Sequence, residues 1–201
     1  MEDAQMRLKT YNKLIVVRDP LERLASAWLD KFFISPGRFS FIRRLRQAVG
    51  NSKFGNTTTK RALPTNRSRR GSMHGARRAP PISIRDFVWS IINNKYRNEH
   101  WEPFFSQCAP CQVQYDFIAH TDTLVEDLRL FFHMSGIVGK DGILPRQHPS
   151  RAKAGFGRTF RVVPPEDIRH LGEIYKPDFD MFGYSIEEDL EAIENALKQN
   201  V

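Results

Sequence analysis

Arg18 is the residue whose position most directly implies chemistry. It leaves the apolar run Leu14-Ile15-Val16-Val17 and is followed at once by Asp19-Pro20. An arginine at the end of a buried strand and the start of a helix suits an anion. Its guanidinium forks onto phosphate oxygens, and the helix end adds free N–H groups. The alternative is an ion pair with a nearby carboxylate such as Asp19 or Glu22. Gly136-Ile137-Val138-Gly139-Lys140 has the look of a phosphate loop but lacks its full spacing and a following helix. Cys108 and Cys111 are the only two cysteines. With no second pair there is no four-ligand zinc site, and a redox pair of the thioredoxin type would open a helix.

The elements that must position Arg18 follow from periodicity. Leu14–Val17 reads as a strand buried on both faces, as in a parallel sheet. Asp19 caps a helix with Pro20 in its first turn, and Leu21, Leu24, Ala25, Trp28 and Phe32 then recur at helical spacing. Between Ser35 and Pro81 the pattern fades into a long loop, with one short helix around Phe39–Val49. Ser83, with Asp86 three residues on, opens a helix whose buried face carries Phe87, Val88, Ile91 and Ile92. Val113, Tyr115 and Phe117 alternate with polar residues, which predicts a strand with one buried face. Thr123 with Glu126 reads as a capping box for the next helix. Pro164-Pro165 begins a helix that buries Ile168, Leu171 and Ile174, and Ile186–Gln199 reads as a polar terminal helix. Strands alternating with helices predict an α/β sheet, with ligands at the carboxyl ends of its strands.

At 201 residues and 40% hydrophobic content the chain suits one packed domain. A net charge of +8 attracts polyanions without choosing among them. The excess is concentrated between Lys31 and Arg85, which hold fourteen Lys and Arg and no acid. That region is either a solvated insertion or a surface for an acidic ligand. No stretch reaches the roughly 18 apolar residues of a membrane span, and residues 1–10 lack the apolar core of a signal peptide.

Three stretches together resemble the Golgi carbohydrate sulfotransferases that modify chondroitin, dermatan and related glycans. Lys13–Phe33 is similar to their segment for the 3′-phosphate of the sulfate donor, with its Arg-(Asp/Glu)-Pro-x-x-Arg-x-x-Ser-(Ala/Gly)-(Tyr/Trp) pattern at Arg18–Trp28. His100-Trp101-Glu102-Pro103, Cys108-Ala109-Pro110-Cys111 and Tyr115-Asp116-Phe117-Ile118 match a second signature. Glu166–Ile168, Tyr175–Phe179 and Phe182–Tyr184 match the carboxy-terminal one.

The resemblance implies a P-loop-like α/β sulfotransferase fold, with a central parallel sheet flanked by helices. It implies sulfate transfer from 3′-phosphoadenosine 5′-phosphosulfate, without a metal, to a hydroxyl of a chondroitin/dermatan-like or N-glycan-type acceptor. Arg18 and Ser26 become ligands of the 3′-phosphate; spacing alone would not have nominated Ser26. His100 becomes the candidate base, since neutral imidazole accepts a hydroxyl proton, with a packed ring beside Trp101 as the alternative. Arg151, Lys153 and Arg158 read by default as surface charge, with help to the nucleotide phosphates or an acidic glycan as the alternative.

The family's second clamp, a lysine-bearing loop for the 5′-phosphosulfate, precedes the segment matched at Lys13, and residues 1–12 hold neither a strand nor such a loop. One sulfotransferase domain over residues 1–201 is therefore expected, lacking its first strand and 5′-phosphosulfate loop, with a basic variable loop at 35–81. Little or no transfer by this chain is expected. Its family setting is a Golgi membrane protein with a luminal catalytic domain, attached only through an N-terminal anchor absent from residues 1–201. The sequons Asn56-Thr57-Thr58 and Asn66-Arg67-Ser68 agree with a lumen. There Cys108 and Cys111 favour a structural disulfide, with free thiols as the alternative because a two-residue loop is tight. A catalytically dead glycan-binding relative is one other reading. A nucleic-acid module built on residues 38–78 is another, but Phe39, Phe41 and Phe54 are too sparse to stack bases, so no nucleic acid partner is expected.

Overall fold

A computed structural model describes residues 2–34, 37–50, 82–139, 141–144 and 151–198. The two sequons and the arginine pairs at 69–70 and 77–78 lie outside them, as do Lys140 and the side chains of Arg151 and Lys153.

The apolar run forms β1, Leu14–Val17, and it pairs in parallel with β2, Phe117–His120, so that Val17 lies level with His120. These are the two sheet strands among the described residues. Helix α1, Glu2–Thr10, precedes β1, and α2, Pro20–Leu29, follows it and runs into a π-helical turn over Asp30–Ile34. The short helix expected near Phe39 is α3, Arg38–Val49. Next come α4, Ile84–Ile92, and α5, Phe104–Cys108. After β2 stand α6, Leu124–Met134; α7, Arg151–Phe160; α8, Pro165–Ile174; α9, Lys176–Phe182; and α10, Ile186–Lys198.

Several expectations are corrected. Val16 in β1 is 40% exposed, so only Ile15 and Val17 are buried as the continuous apolar run predicted. The second strand starts at Phe117 and not Val113. Ala109 takes a left-handed turn, and the Tyr115 hydroxyl donates to the Cys108 carbonyl (2.9 Å), folding the approach back. Pairing begins at Asp116, whose carboxylate accepts from the Lys13 N–H at 2.7 Å. Cys108 and Cys111 are free thiols, half-buried and exposed, where a disulfide had been favoured. The Thr123–Glu126 box is replaced by Asp127, whose Oδ2 accepts from the Thr123 hydroxyl (2.8 Å) and the His120 N–H (2.7 Å). Ile174 is 36% exposed, while Ile168 and Leu171 are buried. The terminal helix is amphipathic, burying Ile193 against α7, a helix the sequence had not signalled.

Trp101 is buried at the centre of the main core, packed by Phe32, Phe87 and Tyr96. A buried polar cluster ties the three motif stretches together beside it. From α2, Arg23 donates to the carbonyls of Glu102 (2.6 Å) and His100 (3.4 Å) and faces Phe104 at 4.4 Å. Asp178 of α9 lies 3.8 Å from Arg23 and accepts the N–H groups of Phe104 (2.7 Å) and Phe105 (2.8 Å), filling the start of α5. The Tyr175 hydroxyl donates to the Trp101 carbonyl.

Two measurements check these contacts. Gly157 of α7 is where the helix meets α10, because a Cβ there would sit 2.6 Å from the Ala192 carbonyl oxygen. Gly157→Ala should lower stability by about 1–3 kcal/mol in thermal unfolding, the usual cost of overpacking. An unchanged melting temperature would mean the two helices are not in this contact. Asp178→Ala strips a buried cation and two amides of their acceptor and should cost about 3–5 kcal/mol by urea titration, whereas a loss below about 1 kcal/mol would discount the cluster.

Candidate functional site

Asp19 caps α2 from the extended backbone that leaves β1, and Pro20 sits in the first turn. The Asp19 carboxyl accepts from the N–H of Glu22 at 2.8 Å and also takes a hydrogen bond from the Leu21 N–H. Pro20 has no N–H, and the Arg23 N–H goes to the Asp19 carbonyl at 2.9 Å. The free amides that sequence reasoning assigned to an anion are therefore used internally. The guanidinium is left to do the gripping.

Arg18 lies along the first turn of α2, its Nε 3.4 Å from Glu22 Oε2. That distance is long for a charge-assisted hydrogen bond. The terminal nitrogens of Arg18 have no hydrogen-bond partner among the described residues. Ser26, half-buried, stands one helical turn beyond Glu22, so Arg18, Glu22 and Ser26 lie along one stripe of α2. The fork can receive phosphate oxygens without breaking a tight ion pair.

His100 lies elsewhere. Its ring packs on Phe41 with centroids 6.0 Å apart, and Nε2 is 3.7 Å from Glu99 Oε1. No hydrogen bond, ion pair or ring contact among the described residues joins it to Arg18 or Ser26. What links them is Arg23, on α2 beside this stripe, which holds the His100 carbonyl. Arg158 is exposed on α7.

His120, Tyr184 and Asp189 were not nominated as part of a site. His120 ends β2, where a carbonyl partner, Phe182 O at 3.0 Å, fixes the proton on Nε2. Its ring meets Tyr184 edge-on at 5.6 Å. The Tyr184 hydroxyl is buried with no hydrogen-bond partner among the described residues. Burial pushes its phenol well above the ordinary range, with Asp122, Asp19 and Glu22 adding to the shift and Arg18 opposing it. Asp189 of α10 feels the negative charge of Asp19 and Glu22. Burial and like charge push both carboxyls up, Asp19 to about 6 and Asp189 to about 9. Glu22 was visible as the fourth residue after Arg18, and Tyr184 lay within a matched motif. Asp189 gave no sequence signal.

Among the described residues no group of three His, Cys, Asp or Glu side chains is set to hold a metal ion, and no helix is long and apolar enough to cross a membrane.

Because both carboxyls bind protons more tightly folded than unfolded, their contribution to stability is complete below about pH 4. It is lost as pH rises through about 6 and then about 9. The melting temperature should fall across that window, and Asp189→Asn should flatten the fall because it removes the carboxyl that ionises last. Equal slopes for the two proteins would assign the pH dependence elsewhere.

Known proteins match this sequence. The Sulfotransferase family covers residues 1–185. Carbohydrate sulfotransferase 11 of Rattus norvegicus is 30% identical over 193 residues, which cover 90% of this chain and 49% of the relative. Carbohydrate sulfotransferase 10 of Homo sapiens is 31% identical over 196 residues with the same coverage. Carbohydrate sulfotransferase 12 of Xenopus laevis is 28% identical over 191 residues, covering 92% of this chain and 43% of the relative. The chain thus spans about half the length of the curated relatives it matches. No solved structure matches it. With the family match running from the start of the chain through Tyr184, and with carbohydrate sulfotransferases among its relatives, the chain belongs to the sulfotransferase family.

Proposed function

We propose that the protein is a carbohydrate sulfotransferase. It moves sulfate from 3′-phosphoadenosine 5′-phosphosulfate to a glycan hydroxyl, with Arg18 and Ser26 holding the donor's 3′-phosphate. The observation that carries this reading is the Arg18 fork at the carboxyl end of β1, loosely paired and with its terminal nitrogens open. Likeness to carbohydrate sulfotransferases supports a glycan as acceptor, chondroitin- or dermatan-like or of the N-glycan type, and the Golgi lumen as the place of reaction.

In the transfer the bond between sulfur and the donor's bridging oxygen breaks, and a bond from the acceptor oxygen to sulfur forms. The hydroxyl proton passes to a base. Arg18 contributes charge and orientation at the far end of the nucleotide, which steadies the reacting sulfur without touching it. His100 is the proposed base, its carbonyl fixed by Arg23 while its ring keeps 38% of its surface in solvent.

Calorimetric titration with adenosine 3′,5′-bisphosphate tests the clamp. Arg18→Ala should weaken binding at least about tenfold, since a hydrogen bond to a charged group contributes about 1.5–3 kcal/mol. Ser26→Ala should weaken it less, and adenosine 5′-monophosphate should bind poorly to all three proteins. Unaltered affinity in Arg18→Ala would remove the 3′-phosphate from this site. Whatever transfer of labelled sulfate to desulfated chondroitin the chain supports should fall about a hundredfold in His100→Ala with donor affinity retained; an unchanged rate would exclude His100 as the base.

A further inference from the structure

Helix α3 carries four arginines and no acid, and its packing does not use their charge. Ile42 and Leu45, 3% and 0% exposed, hold it to the core, with Phe41 and Val49 packed beside them. Arg43 and Arg44 are exposed on the side away from these anchors, and Arg38 is half-buried in the first turn. None of these three makes a hydrogen bond or ion pair among the described residues; the Arg38 guanidinium lies over the Phe39 ring at 4.8 Å. With no acid three or four residues away, charges on one helix only repel each other.

The helix lies beside the proposed base. Phe41 packs on the His100 ring at 6.0 Å and on Phe32 and Trp101 of the core at 6.4 and 6.3 Å. Arg38 and Arg44 are each three residues from Phe41, so they flank it on the helix surface, about 9 Å apart along the axis. His100 thus has a cation to either side of its contact with α3. Two acids stand at this edge: Asp30, held by Lys31 at 2.7 Å, and Glu99, 3.7 Å from His100 Nε2. The three arginines outnumber them. Phe39 is the one exposed ring of α3, at 48%, and Arg38 covers part of it. A single ring offers no platform for successive bases, which favours a sugar chain read by charge over a nucleic acid.

We propose that this side of α3 is the docking surface for an acidic polysaccharide, a chain with carboxylates or sulfates on successive units, which Arg38, Arg43 and Arg44 lay across His100. The inference rests on the proposed glycan acceptor and narrows it to the polyanionic class, against a neutral N-glycan. Docking is non-covalent: the arginines exchange water and counterions for the anionic groups of the chain. Because these contacts are exposed, each is weak, screened by salt and effective only in number. The Arg18 clamp on α2 is a separate site.

Calorimetric titration of the full chain with desulfated chondroitin at several salt concentrations tests this surface. Affinity should fall as salt rises, and Arg43→Gln combined with Arg44→Gln should weaken it at least about fivefold. Glutamine is a good helix former, so α3 should persist. Lys9→Gln combined with Arg169→Gln removes the same charge from exposed positions on α1 and α8 and should weaken binding much less. Both double variants should keep the wild-type affinity for adenosine 3′,5′-bisphosphate. In the wild-type chain, chondroitin should slow the modification of Arg43 and Arg44 by phenylglyoxal, read by mass spectrometry, and leave that of Arg169 as before; this readout holds even if a variant fails to fold. Equal losses in the two double variants, undiminished binding of carboxyl-reduced chondroitin, or tighter binding of single-stranded RNA would overturn the inference. Binding of a neutral N-glycan without binding of chondroitin would also overturn it and leave the glycan reading intact. Binding of neither glycan overturns both.

Discussion

The contact on which the arrangement depends is that between Arg23 and Asp178. Both side chains are nearly out of water, at 12% and 1% exposure, and burial alone depresses the Arg23 pKa and raises that of Asp178. Such a pair adds little net stability, since the loss of hydration offsets most of the attraction. It does specify geometry. The terminal nitrogens of Arg23 find acceptors on the carbonyls of His100 and Glu102, its Nε having no partner among the described residues, and Asp178 accepts two amides from the start of α5. Three stretches of chain far apart in sequence are thereby locked in one register. Because Arg23 follows Glu22 on α2, fixing its direction fixes the face that carries Arg18, Glu22 and Ser26.

Much of this was legible where the physics is local. The β-branched run to Val17, the Asp19 cap and Pro20 specify a strand, a turn and a helix within about fifteen residues. Ser83 likewise accepts the Asp86 N–H as its spacing predicted. Legibility failed where a partner far along the chain decides the outcome. Strand β2 is set by where Lys13 pairs, so the alternation at Val113 misplaced its start. Helix α7 was missed because its apolar face is sparse: Phe156 and Phe160 are buried, and Gly157 is the point of close approach to α10. Asp189 sits in an acidic run that reads as a solvated face, and nothing local distinguishes it from Glu187 or Glu188. The motif likeness nominated Ser26 and His100, but it carried no information about the carboxyls around the clamp.

The charge of the whole and the charge at the site have opposite signs. A net +8 raises the concentration of any polyanion near the protein. Around Tyr184, however, Arg18 is accompanied by acids: Asp122, Asp19 and Glu22. Long-range attraction and local binding are thus separable here. The net positive charge governs encounter and is screened by salt, whereas Arg18 itself is partly buried beside the buried carboxyls of Asp19 and Glu22.

The acids have a structural origin. A helix that must start abruptly at the end of a strand needs an acceptor for its first amides, and with proline in the first turn the cap residue is the one placed to supply it. Asp19 does so, at the cost of putting a carboxylate beside the arginine that the site needs free. Were it fully ionised and unshared, it would compete with a phosphate for the Arg18 fork and cancel the positive end of the α2 dipole. The N–H groups of Leu21 and Glu22 relieve the conflict by occupying the Asp19 oxygens, which leaves the cap in place and weakens its pull on the guanidinium. The same logic explains why Arg18 rests on Glu22 at 3.4 Å and not in a tight bidentate pair. A clamp neutralised by its own neighbours could not bind, and one with no carboxylate nearby would leave α2 without its cap.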